Sequence, residues 1–109
     1  EKCSRLLKGM KRNRNSGPFL RPVDLVQLPD YESVLRAAGC SPICIQDIEN
    51  KLMNNDYHDH RGFVKDFRRM FLNAHVYNPE RDPVHKMAQE LSEEFETKWT
   101  KFRKSLKDR

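Results

Sequence analysis

Apolar residues recur at intervals of three and four along several stretches of the chain, the spacing that lines one face of an α-helix. The strongest run holds Phe63, Phe67, Met70, Phe71, Ala74 and Tyr77. Asn78 lies four residues past Ala74 and seven past Phe71, so it continues that face. Pro79 disfavours helical geometry in the residue before it, which predicts a helix from a cap at Asp59 to about Asn78. The pattern therefore sets a carboxamide at the rim of an apolar core.

Three further helices follow from the same spacing. Cys3, Leu6, Leu7 and Met10 share a face from Cys3 to about Lys11, and the turn-forming run Asn13-Arg14-Asn15-Ser16-Gly17-Pro18 ends it. Ile45, Ile48 and Leu52 mark a short helix ending near Asn54-Asn55. Asp82 before Pro83 is a strong start signal, and Val84, Met87, Ala88, Leu91, Phe95, Trp99, Phe102 and Leu106 form one long stripe after it. Residues 17–44 show neither helical period nor alternation, and hold Pro18, Pro22, Pro29, Gly39 and Pro42. A connection this long is usually functional. It is also apolar enough to need cover or to wall a pocket. The expected fold is all-α: an antiparallel four-helix bundle with a long loop between the first and second helices. In that topology both termini share one pole, and Asn78 faces the other beneath the loop.

Composition narrows the picture. With 109 residues the chain is expected to be one domain, and because it opens with Glu1 the domain is expected to be a piece of a longer protein. No secretory leader is read at its start, and no apolar run approaches the ~20 residues of a membrane span. Three cysteines, Cys3, Cys40 and Cys44, argue against a disulfide framework. Cys40, Cys44, His58 and His60 fit zinc-ligand spacing poorly, so no metal or other cofactor is expected. No nucleophile–base pair or phosphate loop stands out, so an enzyme is not expected. The net charge of +5 is divided. Residues 1–14 hold six Lys/Arg against one acid and residues 96–109 six against two, leaving the middle acidic. The basic residues Lys8, Lys11, Arg12, Arg14, Lys101, Arg103 and Lys104 are either solvated helix ends or a weak DNA contact.

The ordered set Gly17-Pro18-Phe19, Pro22-Val23-Asp24, Leu28-Pro29-Asp30-Tyr31, Pro42-Ile43, Tyr57, Phe63-x-x-Asp66, Met70-Phe71-x-Asn73-Ala74 and Tyr77-Asn78 resembles the bromodomain family over nearly the whole chain. The resemblance implies a left-handed four-helix bundle that binds acetylated lysine at the loop pole. By position, Asn78 matches the asparagine that holds the acetyl carbonyl, and Tyr31 the tyrosine that reaches it through water. Pro18, Phe19, Val23 and Leu28 match the loop wall, and Tyr77, Ala74 and Asn73 the floor. Val84 matches the residue at the pocket mouth. The implied partners are acetylated lysine peptides, histone or other nuclear tails, read in the nucleus by a monomeric domain. Burying about 150–200 Å² of methyl and alkyl stem contributes about 4–5 kcal/mol, part of which association offsets. Binding is thus expected to be weak and reversible.

Alternatives stay open on the residues alone. Without the resemblance, Asn78 reads more readily as a helix-end asparagine tolerant of left-handed geometry. Asn73 reads as a structural amide bonding loop backbone or water, and Tyr31 and Tyr77 as core aromatics. Three departures from the family pattern bear on affinity: Gly17 stands where many members carry a bulky aromatic, Cys44 where an acid usually caps the second helix, and the segment 36–41 is longer than usual. A degenerate domain serving as a protein-interaction scaffold is the competing reading.

Overall fold

Helix α1 spans Lys2–Arg12, α2 Tyr31–Ala37, α3 Ile45–Met53, α4 His60–Tyr77 and α5 Pro83–Lys107 in a computed structural model that describes residues 2–107. No strand occurs among the described residues. Helices α1, α3, α4 and α5 form the bundle, with α1 and α4 each packed against both α3 and α5. The α1–α5 seam is antiparallel: Asn13 Nδ2 donates to Glu94 at 2.6 Å and Asn15 Nδ2 to Glu90 at 3.1 Å. Between α4 and α5, Phe67 stacks on Phe95 with ring centroids 4.7 Å apart, and the Arg68 guanidinium clamps Glu96 at 2.9 Å. The α4 stripe is core as expected, with Phe63, Phe67, Met70, Phe71 and Ala74 all buried. Ala88, Leu91, Phe95 and Trp99 bury the facing stripe of α5, and Val84, Met87 and Phe102 pack at its edge. The Leu106 side chain lies outside the described residues.

Local chemistry sets the helix ends. Asp59 Oδ1 accepts the Arg61 N–H at 2.8 Å at the start of α4, which holds its carboxyl below the usual range. Asp82 Oδ1 accepts the Val84 N–H at 2.8 Å at the start of α5. At the end of α3, Asn55 takes φ 56° and the Asp56 N–H returns to the Lys51 carbonyl at 2.8 Å, a left-handed cap of the Schellman type. Asp66 joins α3 to α4: only 5% exposed, it accepts the Tyr57 hydroxyl at 2.6 Å and the Lys51 ammonium at 2.8 Å, with Arg69 at 3.7 Å. A buried carboxylate is tolerable only with such partners. Burial and that carboxylate push the Tyr57 phenol well above its ordinary value.

The long connection departs from its unstructured expectation. It opens with a 3₁₀ turn over Gly17–Phe19 and contains the two-turn helix α2. Seven residues are too few for periodicity to declare a helix, although Tyr31 and Leu35, four apart, are buried and share its inner face. The segment after α2 closes tightly. Gly39 takes φ 77°, and the Gly39 and Cys40 N–H groups return to the Arg36 and Leu35 carbonyls at 3.0 and 2.8 Å. Not every apolar loop residue finds cover: Val26 is 90% exposed and Leu25 44%. The cap of α3 is also stronger than Cys44 suggested, because the Asp47 carboxylate reaches back to the Cys44 N–H at 3.1 Å and takes its thiol at 3.3 Å.

The basic residues do not all collect at one pole. The antiparallel seam sets Asn13 beside Glu94 and Asn15 beside Glu90, so Lys11, Arg12 and Arg14 lie more than a turn of α5 away from Lys101–Lys104. Lys11 is moreover paired with Glu49 at 2.9 Å.

Two outcomes test this packing. Gly39→Ala forces a side chain into left-handed geometry, and chemical denaturation should show a loss of about 1 kcal/mol. On α4, His75 packs against His85 of α5 with ring centroids 4.5 Å apart, and burial with that second imidazole lowers its proton affinity. Its folded state thus binds fewer protons than the unfolded chain, whose histidine titrates near ~6.5, so stability falls as pH drops through that value. Melting temperature measured from about pH 7.5 to about pH 5.5 should fall less steeply in His75→Phe than in the wild type.

Candidate functional site

A cavity of about 680 Å³ opens at the loop pole, between the long connection and the ends of the bundle helices. The loop contributes Pro18, Phe19, Leu20, Pro22, Val23 and Leu28, α2 its first residue Tyr31, α4 its last turns through Met70, Ala74 and Tyr77, and α5 its start at Val84. Ile43 and Cys44 close the side next to α3. The wall is mostly apolar with a few polar groups, the usual make-up of a small-ligand site.

Asn78 is the polar group at the end of α4. Pro79 stops the helix, so Asn78 leaves helical geometry at φ −97°, ψ 127°. This is extended backbone, which removes the left-handed capping reading. Its N–H donates to the Ala74 carbonyl at 2.9 Å, and its own Nδ2 donates to the same oxygen at 3.1 Å. A carbonyl oxygen has two lone pairs and an amide nitrogen two hydrogens. The shared acceptor therefore orients the carboxamide and leaves one N–H for a ligand.

Around it the aromatic residues are held in turn. Tyr31 packs edge-on against Tyr77 at 4.9 Å, and the Tyr77 hydroxyl donates to Asp30 at 2.7 Å. Burial raises the Tyr31 phenol above its ordinary value, and the bond to Asp30 does the same for Tyr77, so both are neutral donors at neutral pH. Burial also pushes the Cys44 thiol up, which leaves it a weakly polar part of the wall rather than a nucleophile.

Nine of the expected positions, Asn78, Tyr31, Tyr77, Pro18, Phe19, Val23, Leu28, Ala74 and Val84, meet at this cavity. Asn73 does not. It is 1% exposed and donates to the Ser41 carbonyl at 2.7 Å, tying the end of the long connection to α4. Its place on α4, five residues before Asn78, turns it toward the loop's underside rather than the cavity. Sequence reasoning did not single out Met70, Ile43, Cys44 or Leu20 for the wall. Met70 was legible as core, and the others depend on the path of a loop that carries no period. Asp24, Glu32 and Asp47 also line the cavity against the single cation Arg21, so its mouth is net acidic. No group of three or more His, Cys, Asp or Glu that could hold a metal occurs among the described residues.

Known proteins resemble this chain in sequence and in fold. The bromodomain family profile matches residues 3–90. The SWR1 complex bromodomain subunit bdf1 of Schizosaccharomyces pombe is 34% identical over 96 residues, covering 86% of this chain and 16% of that protein. The nucleosome-remodeling factor subunit NURF301 of Drosophila melanogaster is 32% identical over 108 residues, covering 99% of this chain and 4% of that protein. The chain thus spans only a small part of these curated relatives. Among solved structures, the bromodomain from human BAZ1A superposes with a TM-score of 0.86 at 28% identity, over 93% of this chain and 91% of that one. Among the relatives are nucleosome-remodeling subunits and transcription factors, and the family's domains are binding modules rather than enzymes. A matching profile over most of the chain, relatives above 30% identity along it and a shared fold carry one conclusion: the chain belongs to the bromodomain family.

Proposed function

We propose that this domain reads acetylated lysine, with the side chain entering the loop-pole cavity and its acetyl oxygen accepting a hydrogen bond from Asn78. The observation that carries this reading is the Asn78 carboxamide, fixed by Ala74 at 3.1 Å with one N–H unused, at the edge of a mostly apolar well. Acetylation turns an ammonium into a neutral amide ending in a methyl. An apolar well accepts that group, whereas an unmodified ammonium loses several kcal/mol or more of hydration on entering. Tyr31, neutral and beside the site, is suited to hold a bridging water on the second lone pair of the acetyl oxygen. Pro18, Phe19, Val23, Leu28, Ala74, Tyr77 and Val84 supply the contact with methyl and stem, while Asn73 keeps the loop in place.

The acids at the mouth, Asp24, Glu32 and Asp47, favour a basic peptide. Together with the chromatin-associated relatives, this supports histone tails as the target class and the nucleus as the compartment. A scaffold that has lost acetyl binding is the competing reading, and it gains its support from Gly17. The basic helix ends support a DNA contact weakly, because they are spread along the α1–α5 seam with Glu90 and Glu94 among them. A steep fall of DNA affinity with salt would separate that contact from acetyl reading.

Titration of acetylated and unmodified copies of one histone-tail peptide tests the assignment. The wild type should bind the acetylated copy preferentially and weakly, and Asn78→Ala should lose roughly tenfold or more, about the value of a lost hydrogen bond plus an imperfect cavity. Equal binding of both copies, or an unaffected variant, refutes it. The open wall supplies a gain-of-function arm. A Cβ on Gly17 meets nothing within 4 Å, so Gly17→Trp adds an apolar shelf and should tighten binding roughly two- to tenfold. An unchanged dissociation constant in that variant would mean that the missing shelf does not limit affinity.

A further inference from the structure

Behind Asn78, outside the cavity, two imidazoles from different helices pack together. His85 sits one residue after Val84 in the first turn of α5, and its Nδ1 lies 2.8 Å from the Asn78 carbonyl oxygen. A carbonyl only accepts, so His85 carries its proton on Nδ1 and donates. The bond answers a specific need. Once Pro79 ends the helix, the Asn78 carbonyl is one of the four at a helix C-terminus that no later N–H of the same helix can reach. Within the link, the Asp82 N–H goes to the Pro79 carbonyl at 2.8 Å and the His85 N–H to the Asp82 carbonyl at 3.0 Å. Neither restrains Asn78, and Pro79, Glu80 and Arg81 are exposed. The His75 ring, on the last turns of α4, packs on His85 at 4.5 Å and 40°, which limits rotation of that imidazole. Neither histidine lines the cavity.

We propose that His85 is a positioning residue for the acetyl-lysine site: its Nδ1–H pins the Asn78 carbonyl across the α4–α5 link and so fixes the angle at which the Asn78 side chain meets a ligand. The inference rests on the acetyl-lysine reading given above. Two tethers then hold Asn78, one on each side of its Cα. Ala74 takes the N–H and the carboxamide, and His85 takes the carbonyl. With His85 gone, the Asn78 backbone is tethered on one side only, so its φ and χ1 gain play and the free N–H points less consistently at a ligand. His85 is not in the wall, and its neighbour Val84 is held separately by the bond of its N–H to Asp82, so the route from His85 to the ligand runs through Asn78.

The test compares His85→Leu, which lacks a donor, with His85→Asn, whose amide nitrogen stands close to the position of Nδ1. Each is titrated with the acetylated peptide, and each is melted in the absence of ligand. His85→Leu should weaken binding about fivefold, the worth of one hydrogen bond, with a melting temperature within a few degrees of the wild type. His85→Asn should recover most of the affinity. Nitrogen-15 spectra of the wild type at neutral pH should show the His85 imidazole protonated on Nδ1. Wild-type affinity in His85→Leu, equal losses in both variants, or an imidazole protonated on Nε2 would each overturn the inference. A wild type that does not prefer the acetylated peptide removes the acetyl-lysine reading and this inference with it. Loss of the inference alone shows instead as preference kept in full by His85→Leu.

Discussion

One backbone carbonyl organises the functional pole of this domain. The Ala74 oxygen accepts both the N–H and the side-chain amide of Asn78, because Pro79 ends the helix at that point and frees Asn78 from helical geometry. A helix that continued would carry Asn78 around with its neighbours, and a helix that frayed would let its carboxamide swing. The proline and the shared acceptor together hold it still. Ala74 itself is buried against the core, so the anchor is as rigid as the packing of α4 on α5. Stability of the aromatic stack at Phe67 and Phe95 is in this sense also accuracy at the pocket.

The loop opposite is held by quite different means. It has few helical residues and several exposed apolar ones, and it depends on a small number of polar ties to the bundle. Asn73 reaches the Ser41 carbonyl, Tyr77 reaches Asp30, and the Gln46 N–H reaches the Leu20 carbonyl at 3.1 Å. Each links a different part of the connection to a helix of the bundle. The cavity therefore has one stiff side, built from helix ends, and one side whose shape depends on single hydrogen bonds. Differences in the loop, such as Gly17 and the turn at Gly39, should tune affinity and selectivity while leaving the asparagine in place.

Much of the fold was legible because helix faces repeat. The stripes from Phe63 and from Val84 were both declared by period, buried from Phe63 to Ala74 and from Ala88 to Trp99, and Asp59 and Asp82 act as the caps their positions predict. Helix α2 was not legible: in two turns, Tyr31 and Leu35 give too short a pattern to stand out from a proline-broken loop. Nine of the ten expected site positions converge on the cavity, yet their assignment came from the order of motifs rather than from period. Asn73, matched by position to the family's floor but also read as a structural amide, serves the loop's backbone and not the cavity. At Cys44 the poor capping chemistry was read, while the acid three residues on, Asp47, which returns to its N–H, stood at readable capping-box spacing and was passed over. The His75–His85 pair lies ten residues apart on separate helices, and only the packed structure brings the two rings together.

The central claim is that the Asn78 carboxamide, held by Ala74, is the donor to an acetyl oxygen. A crystal structure of the domain with an acetylated lysine peptide tests it most directly. The acetyl oxygen should lie at ordinary hydrogen-bond distance, about 2.9 Å, from Asn78 Nδ2, with the bond to the Ala74 carbonyl kept and the methyl directed among the apolar wall residues. An acetyl group seated elsewhere, or an Asn78 side chain that abandons Ala74 to reach it, would contradict the account.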